Sequence, residues 1–391
     1  MPRREVSGQT ESATLRLARE LIARRSVTPD DAGCLELVAA RLAPVGFDCE
    51  RIDVGGVSNL WARRGREAPV LAFVGHTDVV PPGDETTWRH PPFAGVVADG
   101  QLWGRGACDM KGAVAAFVGA AERFARAHPS HAGSIAVVLT SDEEGPSVDG
   151  TVRVVEALAR RGERVDLALV GEPTSAKVLG DAIRVGRRGS LTGRLTVHGI
   201  QGHVAYPEQV SNPIHKAATA LDRLAGEVWD HGTDVFPPTS FQVASIRAGT
   251  GASNVVPARC ECVVNFRYST AVTADELMRR AEAILAGTGA RFDAMWERSA
   301  EPFATTGGPL LAAVEASVLE LVGRPSLRST AGGTSDGRFF APLGTEVVEL
   351  GLVNATIHQV DERVDAADVD RLSAIYERIL ERLFERFVDT Q

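Results

Sequence analysis

Three runs of this chain are almost wholly apolar: 69–75 (PVLAFVG), 134–140 (SIAVVLT) and 165–170 (VDLALV). A strand with one face in water alternates apolar and polar residues, whereas a strand covered on both faces does not. These runs therefore predict strands buried from both sides, and only helices packed on the sheet can cover them. Apolar residues recur at helical spacing over 12–25, 33–44, 112–127 and 148–161. A further strand is expected at 58–63. Strands alternating with helices predict an α/β fold built on a doubly wound, mostly parallel sheet.

The pattern changes near residue 189. The stretch SLTGRLTVHG (190–199) alternates with period two, as a half-exposed antiparallel strand does. A helix at 213–228, alternating strands at 239–248 and 259–269, a helix at 274–287 and the strand-like RFDAMWE follow. That order predicts an α+β sandwich inserted in the larger domain. Helical spacing returns at 309–322 and 366–387. The expected organisation is a catalytic domain of residues 1–188 and 304–391 and an inserted domain of residues 189–303. A length of 391 residues accommodates both. An exposed edge strand and helix in the insertion would pair two copies into a homodimer. Hinges near 188 and 303 would let the domains close over a substrate.

Net charge is −9, which argues against nucleic acid or an anionic membrane surface as the main partner. No run of about 18 apolar residues is present to span a membrane. The first twenty residues lack the apolar stretch of a secretory signal. Five cysteines, odd in number and without a CxxC pair, fit a reducing cytoplasm better than a disulfide framework. Cys260 and Cys262 alternate in a strand-like run and read as packing residues.

Residues able to hold a metal fall where the strands end. His76 and Asp78 follow the run 69–75, Glu143 and Glu144 follow 134–140, and Glu172 follows 165–170. Asp109 precedes a helix, and His358 lies in NATIHQ. In open α/β sheets, ligands gather at the carboxyl ends of strands. Each residue alone reads as a solvated loop residue, and Asp109 as a helix cap. Together they form a mixed nitrogen and oxygen donor set, which suits zinc and related divalent ions. The HTD spacing points the side chains of residues 76 and 78 the same way, so Asp78 is placed to accept a hydrogen bond from His76.

In order along the chain, HTDVVPPG, GRGACDMKG, TSDEEG, GEPT and the late His358 resemble the motifs of the aminoacylase and carboxypeptidase metallohydrolases. The resemblance runs over nearly the whole chain, including the insertion. It implies two Zn2+ per subunit, with Co2+ as a substitute. By position, His76 and Glu172 would hold one ion, Glu144 and His358 the other, and Asp109 would bridge them. Glu143 would be the general base and Asp78 would orient His76. His203, in HGIQGHVAYP, matches a position that reaches across a dimer in related enzymes, where it would stabilise the oxyanion. Gly106 and Gly112 flank the Asp109 segment and permit a tight turn. A constrained peptide is expected after Asp109, and Cys108 stands where a residue such as alanine is expected, which would make the site prone to oxidation.

Within that family, VGRRGSL (185–191), VHGIQGHVAYPE with NPIH, AGGTSDGRF (331–339) and VNATIHQV resemble the subgroup that hydrolyses N-succinyl-LL-2,6-diaminopimelate. The implied role is in making lysine and the cell-wall diamino acid, and the implied partner is a small N-succinyl amino acid. Arg187 and Arg267, with Arg188 beside them, would bind carboxylates, and Ser190, Asn254, Gly333 and Thr334 would add neutral donors. The rivals are an acetylornithine deacetylase, aminoacylase or dipeptidase with the same ligands, and a non-catalytic metal-binding scaffold. A scaffold has no need of a base, and Glu143 is present.

Overall fold

A computed structural model of the chain describes residues 11–386. The N-terminal reading at residues 1–10 and the last residue of the helix expected at 366–387 lie outside the described residues. The chain divides into two compact units. One comprises the residues up to Val185 with Thr305–Ser329 and from Ser335 onward; the other comprises Gly186–Ala304 and Thr330–Thr334. The single insertion expected at 189–303 does not include that last five-residue segment. Its membership has a local reason: the Thr330 hydroxyl donates to the Val235 carbonyl (2.6 Å), and Arg187 Nη1 donates to the Gly333 carbonyl (3.1 Å).

The first unit is built on an eight-stranded sheet. Its order is Asp48–Arg51, Asn59–Arg64, Ser134–Thr140, Val70–His76, Leu167–Val170, Glu346–Glu349, Ala182–Arg184 and Leu327–Ser329. The four strands from Ser134–Thr140 to Glu346–Glu349 run parallel. Antiparallel pairings join them to their flanks on both sides. Every residue of Val70–His76 and Ser134–Thr140 is buried, as their unbroken apolar runs require. The helix Lys111–Ala127 is so rich in alanine and glycine that nearly all of it is buried. It packs against Ala13–Ile22 and Ala366–Arg386, and Phe117 stacks on Phe73 at 4.1 Å between ring centres.

The second unit holds a four-stranded antiparallel sheet in the order Ser240–Ala248, Arg259–Tyr268, Gly189–His198, Arg291–Ala300. One face packs on the helices Pro213–Gly226 and Ala274–Ala286. Alternate residues of Arg259–Tyr268 (Cys260, Cys262, Val264, Phe266 and Tyr268) are buried there with Leu191, Leu195 and Val197. The two cysteines are thus packing residues, as their alternation predicts. Among the described residues, no helix is long and apolar enough to cross a membrane.

Candidate active site

Register places the strand ends together. His76 pairs with Thr140, Val74 with Val170, and Val170 with Glu349, so the four parallel strands finish along one rim. His76 is the last residue of its strand. Glu143 and Glu144 follow Thr140 in the next turn, and Glu172 comes two residues after Val170. Asp109 arrives on the loop before Lys111–Ala127, and His358 on the loop before Arg363–Asp365.

All five presumptive ligands meet. His76 Nε2 lies 3.1 Å from Asp109 Oδ1 and 3.7 Å from Glu172 Oε1. His358 Nε2 lies 3.2 Å from Asp109 Oδ2 and 2.8 Å from Glu144 Oε1. Asp109 therefore turns one carboxylate oxygen to each imidazole. Donor atoms of His76, Asp109 and Glu144 lie within 4.8 Å of one another, as do those of His76, Glu143 and Glu172.

The electrostatics are those of crowded acids sharing two imidazoles. Burial pulls the His76 imidazole down, but Asp109, Asp78 and Glu143 raise it well above its ordinary value. Hydrogen bonds to Asp109 and Glu144 lift His358 to about 10. Burial pushes the Asp109 carboxyl up, yet hydrogen bonds from His358 and His76 outweigh it and hold it below the usual carboxylate range. Glu143 is pushed up to about 8 by desolvation, with Asp336, Glu144 and Asp109 adding to the rise and His76 opposing it. Two imidazoles, one buried and one exposed, among four carboxylates that are half-buried or buried are a donor set made for divalent cations.

Several groups fix these side chains. His76 Nδ1 donates to the main-chain oxygen of Asp78 (2.8 Å), while the Asp78 carboxylate stands 3.6 Å away. The expected contact between the two residues exists, but its acceptor is the backbone oxygen. The carboxylate instead accepts the backbone N–H groups of Glu143 (3.3 Å) and Glu144 (3.1 Å) and so orients the acidic turn. With Nδ1 donating, the Nε2 lone pair is free to face a cation.

The Asp109–Met110 peptide is cis, and Gly106 has a φ of 86°, which a side chain would strain. Met110 fits a slot over two strand-end glycines: a Cβ on Gly75 would stand 2.4 Å from its Cε, and one on Gly171 2.6 Å. Asp109 is not the cap of the helix that follows, since Met110 occupies the N-cap position. Cys108 corrects the expectation of an oxidisable thiol. It is fully buried, and desolvation with the Glu362 and Asp109 charges raises it well above the ordinary thiol range. A protonated, buried thiol is inert.

Three residues escaped the sequence reading. Glu362, fully buried, accepts N–H groups from the loop that carries Asp109 and pairs with Arg105 at 2.7 Å. Asp336 is buried, accepts the Thr151 hydroxyl at 2.6 Å, and is lifted by burial to about 6. Arg105 and Asp336 both stand inside motifs quoted for other reasons. Glu362, in a run of acids after His358, has no distinguishing local signal.

The remaining candidates belong to the second unit. Ser190 and Arg267 are directly opposed across two strands, and Asn265 Nδ2 donates to Ser190 Oγ (3.3 Å). Arg187 is buried, with Gly333 beside it. Thr334 Oγ1 is buried without a hydrogen-bond partner among the described residues. Arg267 is half-buried, and burial with the Arg188 charge lowers its pKa. His203, exposed, lies on the short strand Gly202–His203, which pairs with Val255–Val256, and Asn254, also exposed, comes just before that second strand; Val204 N–H donates to the Asn254 carbonyl and His203 Nδ1 accepts from Ala205 N–H (3.1 Å).

The chain is similar to known proteins along nearly its whole length. The chain is 61% identical to the succinyl-diaminopimelate desuccinylase of Alkalilimnicola ehrlichii over 95% of its own length and 99% of that protein's. It is 60% identical to the enzyme of that name from Halorhodospira halophila, covering 95% and 98% of the two chains. Its fold matches that of an M20 family metallo-carboxypeptidase from Sulfolobus solfataricus with a TM-score of 0.78, at 15% identity and covering 95% and 99% of the two chains. The profile of Peptidase family M20/M25/M40 spans residues 72–382, most of the chain and every presumptive ligand, and the chain belongs to that family of hydrolases.

Proposed function

We propose that the chain is a two-zinc amidohydrolase that cleaves N-succinyl-LL-2,6-diaminopimelate to succinate and LL-2,6-diaminopimelate. The observation that carries the reading is the Asp109 carboxylate set between His76 and His358, with Glu143 desolvated beside them. The acyl group rests on the identity to the two desuccinylases.

His76 and Glu172 would hold one ion, Glu144 and His358 the other, and Asp109 both. Held by these residues, divalent cations would supply polarisation of the amide carbonyl and a water with its pKa lowered toward about 7. Glu143 takes a proton from the attacking water and returns it to the leaving amine nitrogen as the C–N bond breaks. A base lifted to about 8 without cations is brought down when positive charge arrives, which suits a group that must both accept and give a proton near neutrality. Asp78 holds the backbone of Glu143 and Glu144 in place through the transfer.

Arg187 and Arg267 would bind the substrate carboxylates through their guanidinium forks, with Ser190, Asn254, Gly333 and Thr334 as neutral partners. A second copy of the chain would supply His203 as a donor to the oxyanion, making the active species a homodimer. A cytoplasmic setting is supported by Cys34, Cys49, Cys108, Cys260 and Cys262, all free thiols.

The test is hydrolysis of N-succinyl-LL-diaminopimelate against N-acetylornithine by chelator-stripped protein titrated with zinc, beside Glu143→Ala. Zinc-restored turnover of the succinyl substrate alone, absent in the variant, is the expected result. Turnover of the acetyl substrate alone would remove the roles given to Arg187 and Arg267. No turnover of either would remove the enzyme.

A further inference from the structure

We infer that Arg105 and Glu362 are a positioning pair that sets where Asp109 and His358 stand, and thereby controls uptake of the cation on the His358 side. The inference rests on the two-cation reading above and adds residues that the reading does not use.

Glu362 spends its carboxylate on one loop. Oε2 accepts Arg105 Nη1 (2.7 Å) and the Gly106 N–H (3.1 Å). Oε1 accepts the N–H groups of Cys108 (3.0 Å) and Asp109 (3.2 Å). The main-chain oxygen of Glu362 accepts the Gly104 N–H as well (2.9 Å). The segment 104–109 is therefore moulded around one glutamate. Arg105 works in the other direction. Beyond Glu362, its guanidinium reaches the carbonyls of Gln359 (3.2 Å), His358 (3.4 Å) and Pro81 (3.5 Å), and it lies over the Trp88 ring. The pair thus ties the backbone of one presumptive ligand, Asp109, to that of another, His358. The side chains of Arg105 and Glu362 are 3% and 0% exposed.

A buried ion pair is a poor device for stability alone, because apolar residues of similar volume commonly do as well. What apolar residues cannot do is accept three inward-facing N–H groups, each costly to leave unpaired. His76 and Glu172 do not depend on the pair. His76 ends one of two hydrogen-bonded parallel strands and Glu172 comes just after the other, and His76 Nδ1 is fixed by Asp78. Asp109 serves both cations, but only the His358 side has a second ligand tied to the pair, so disturbing the pair should weaken that cation the more.

The test is calorimetric titration of Zn2+ into the chelator-stripped full chain, wild type beside Glu362→Gln and Arg105→Lys, with visible spectra of the Co2+ forms. Glu362→Gln sets an NH2 group against the loop's donors. Arg105→Lys keeps the buried charge pair but loses the fork that reaches the 358–359 carbonyls, so it remains informative should the first variant fail to fold. Wild type is expected to bind two cations. The variants should weaken both cations, the first slightly and the one on the His358 side by about tenfold to a hundredfold, with a changed Co2+ spectrum. Wild-type affinities and spectra in variants that have lost only thermal stability overturn the inference, as does equal weakening of both cations. Wild-type protein that binds no cation overturns the two-cation reading and this inference together.

Discussion

The two histidines on either side of Asp109 come from different kinds of backbone. His76 ends a strand with parallel neighbours on both edges, and its side chain is 1% exposed. His358 sits on a loop at a φ of 58°, with its side chain 45% exposed. Positive φ is costly for a residue with a side chain and persists where surrounding contacts enforce it. One half of the site is thus a by-product of sheet register. The other half is assembled by side-chain clamps on a loop. Two ions bound to such different supports should differ in how easily they are lost.

The largest effect tests what both halves share. On the proposed role of Glu143 as base rather than ligand, Glu143→Gln should lower kcat by about 10²–10⁴-fold while leaving zinc content unchanged. The same variant should stabilise chelated protein. Glu143 rises from 4.5 to about 8 on folding, so wild type loses stability as pH climbs through that window, and the glutamine does not. Thermal melts of both chelated proteins at pH 4.5 and pH 8 check this; a gap that fails to widen with pH counts against a desolvated Glu143.

The next comparison sets the halves against each other. His76→Ala should abolish uptake of the tighter ion, and turnover with it. His358→Ala should retain that ion and weaken the other by more than the roughly tenfold to hundredfold cost of disturbing a metal's supporting residues, because it removes a proposed ligand. Metal analysis after gel filtration reads both. Equal loss in the two variants would erase the distinction between strand-borne and loop-borne ligands.

The smallest effect is on the chelated protein's pH response. His358, raised to about 10 by Asp109 and Glu144, contributes stability that is fully present below about pH 6.5 and lost as pH rises through 10. The gap in melting temperature between wild type and His358→Ala should therefore shrink from pH 6 to pH 10. Half-exposure makes the gap modest and sensitive to salt. A gap that grows with pH would contradict the hydrogen-bonded, protonated His358.

The strand-borne half was the legible half. Apolar runs at 69–75, 134–140 and 165–170 locate three buried strands, and a parallel sheet must bring their ends together, so His76, Glu143, Glu144 and Glu172 follow from position alone. Asp109 and His358 were candidates by residue type alone, and their roles needed the resemblance, because neither stands at the end of a patterned strand. Short elements such as Ala182–Arg184, Leu327–Ser329 and Glu346–Glu349 are too brief to show a period. Glu362 was illegible for another reason: its loop partners lie some 250 residues earlier in sequence, at separations such as 254 for Cys108. The HTD spacing named the right residue and the wrong atom, since a main-chain oxygen competes with a carboxylate and leaves no trace in sequence.

The five-residue segment Thr330–Thr334 alters what can be cut or exchanged. The chain passes between its units after Val185, Ala304, Ser329 and Thr334, so the second unit is stitched in twice. Excising Gly186–Ala304 alone would strand the Thr330 hydroxyl and the Gly333 carbonyl without their partners at Val235 and Arg187. A ribosome must have passed residue 334 before that unit can close, long after its sheet has been made. A chimera that transplants the unit between relatives must move both pieces, and Gly333 and Thr334 then travel with Arg187 as one inheritance.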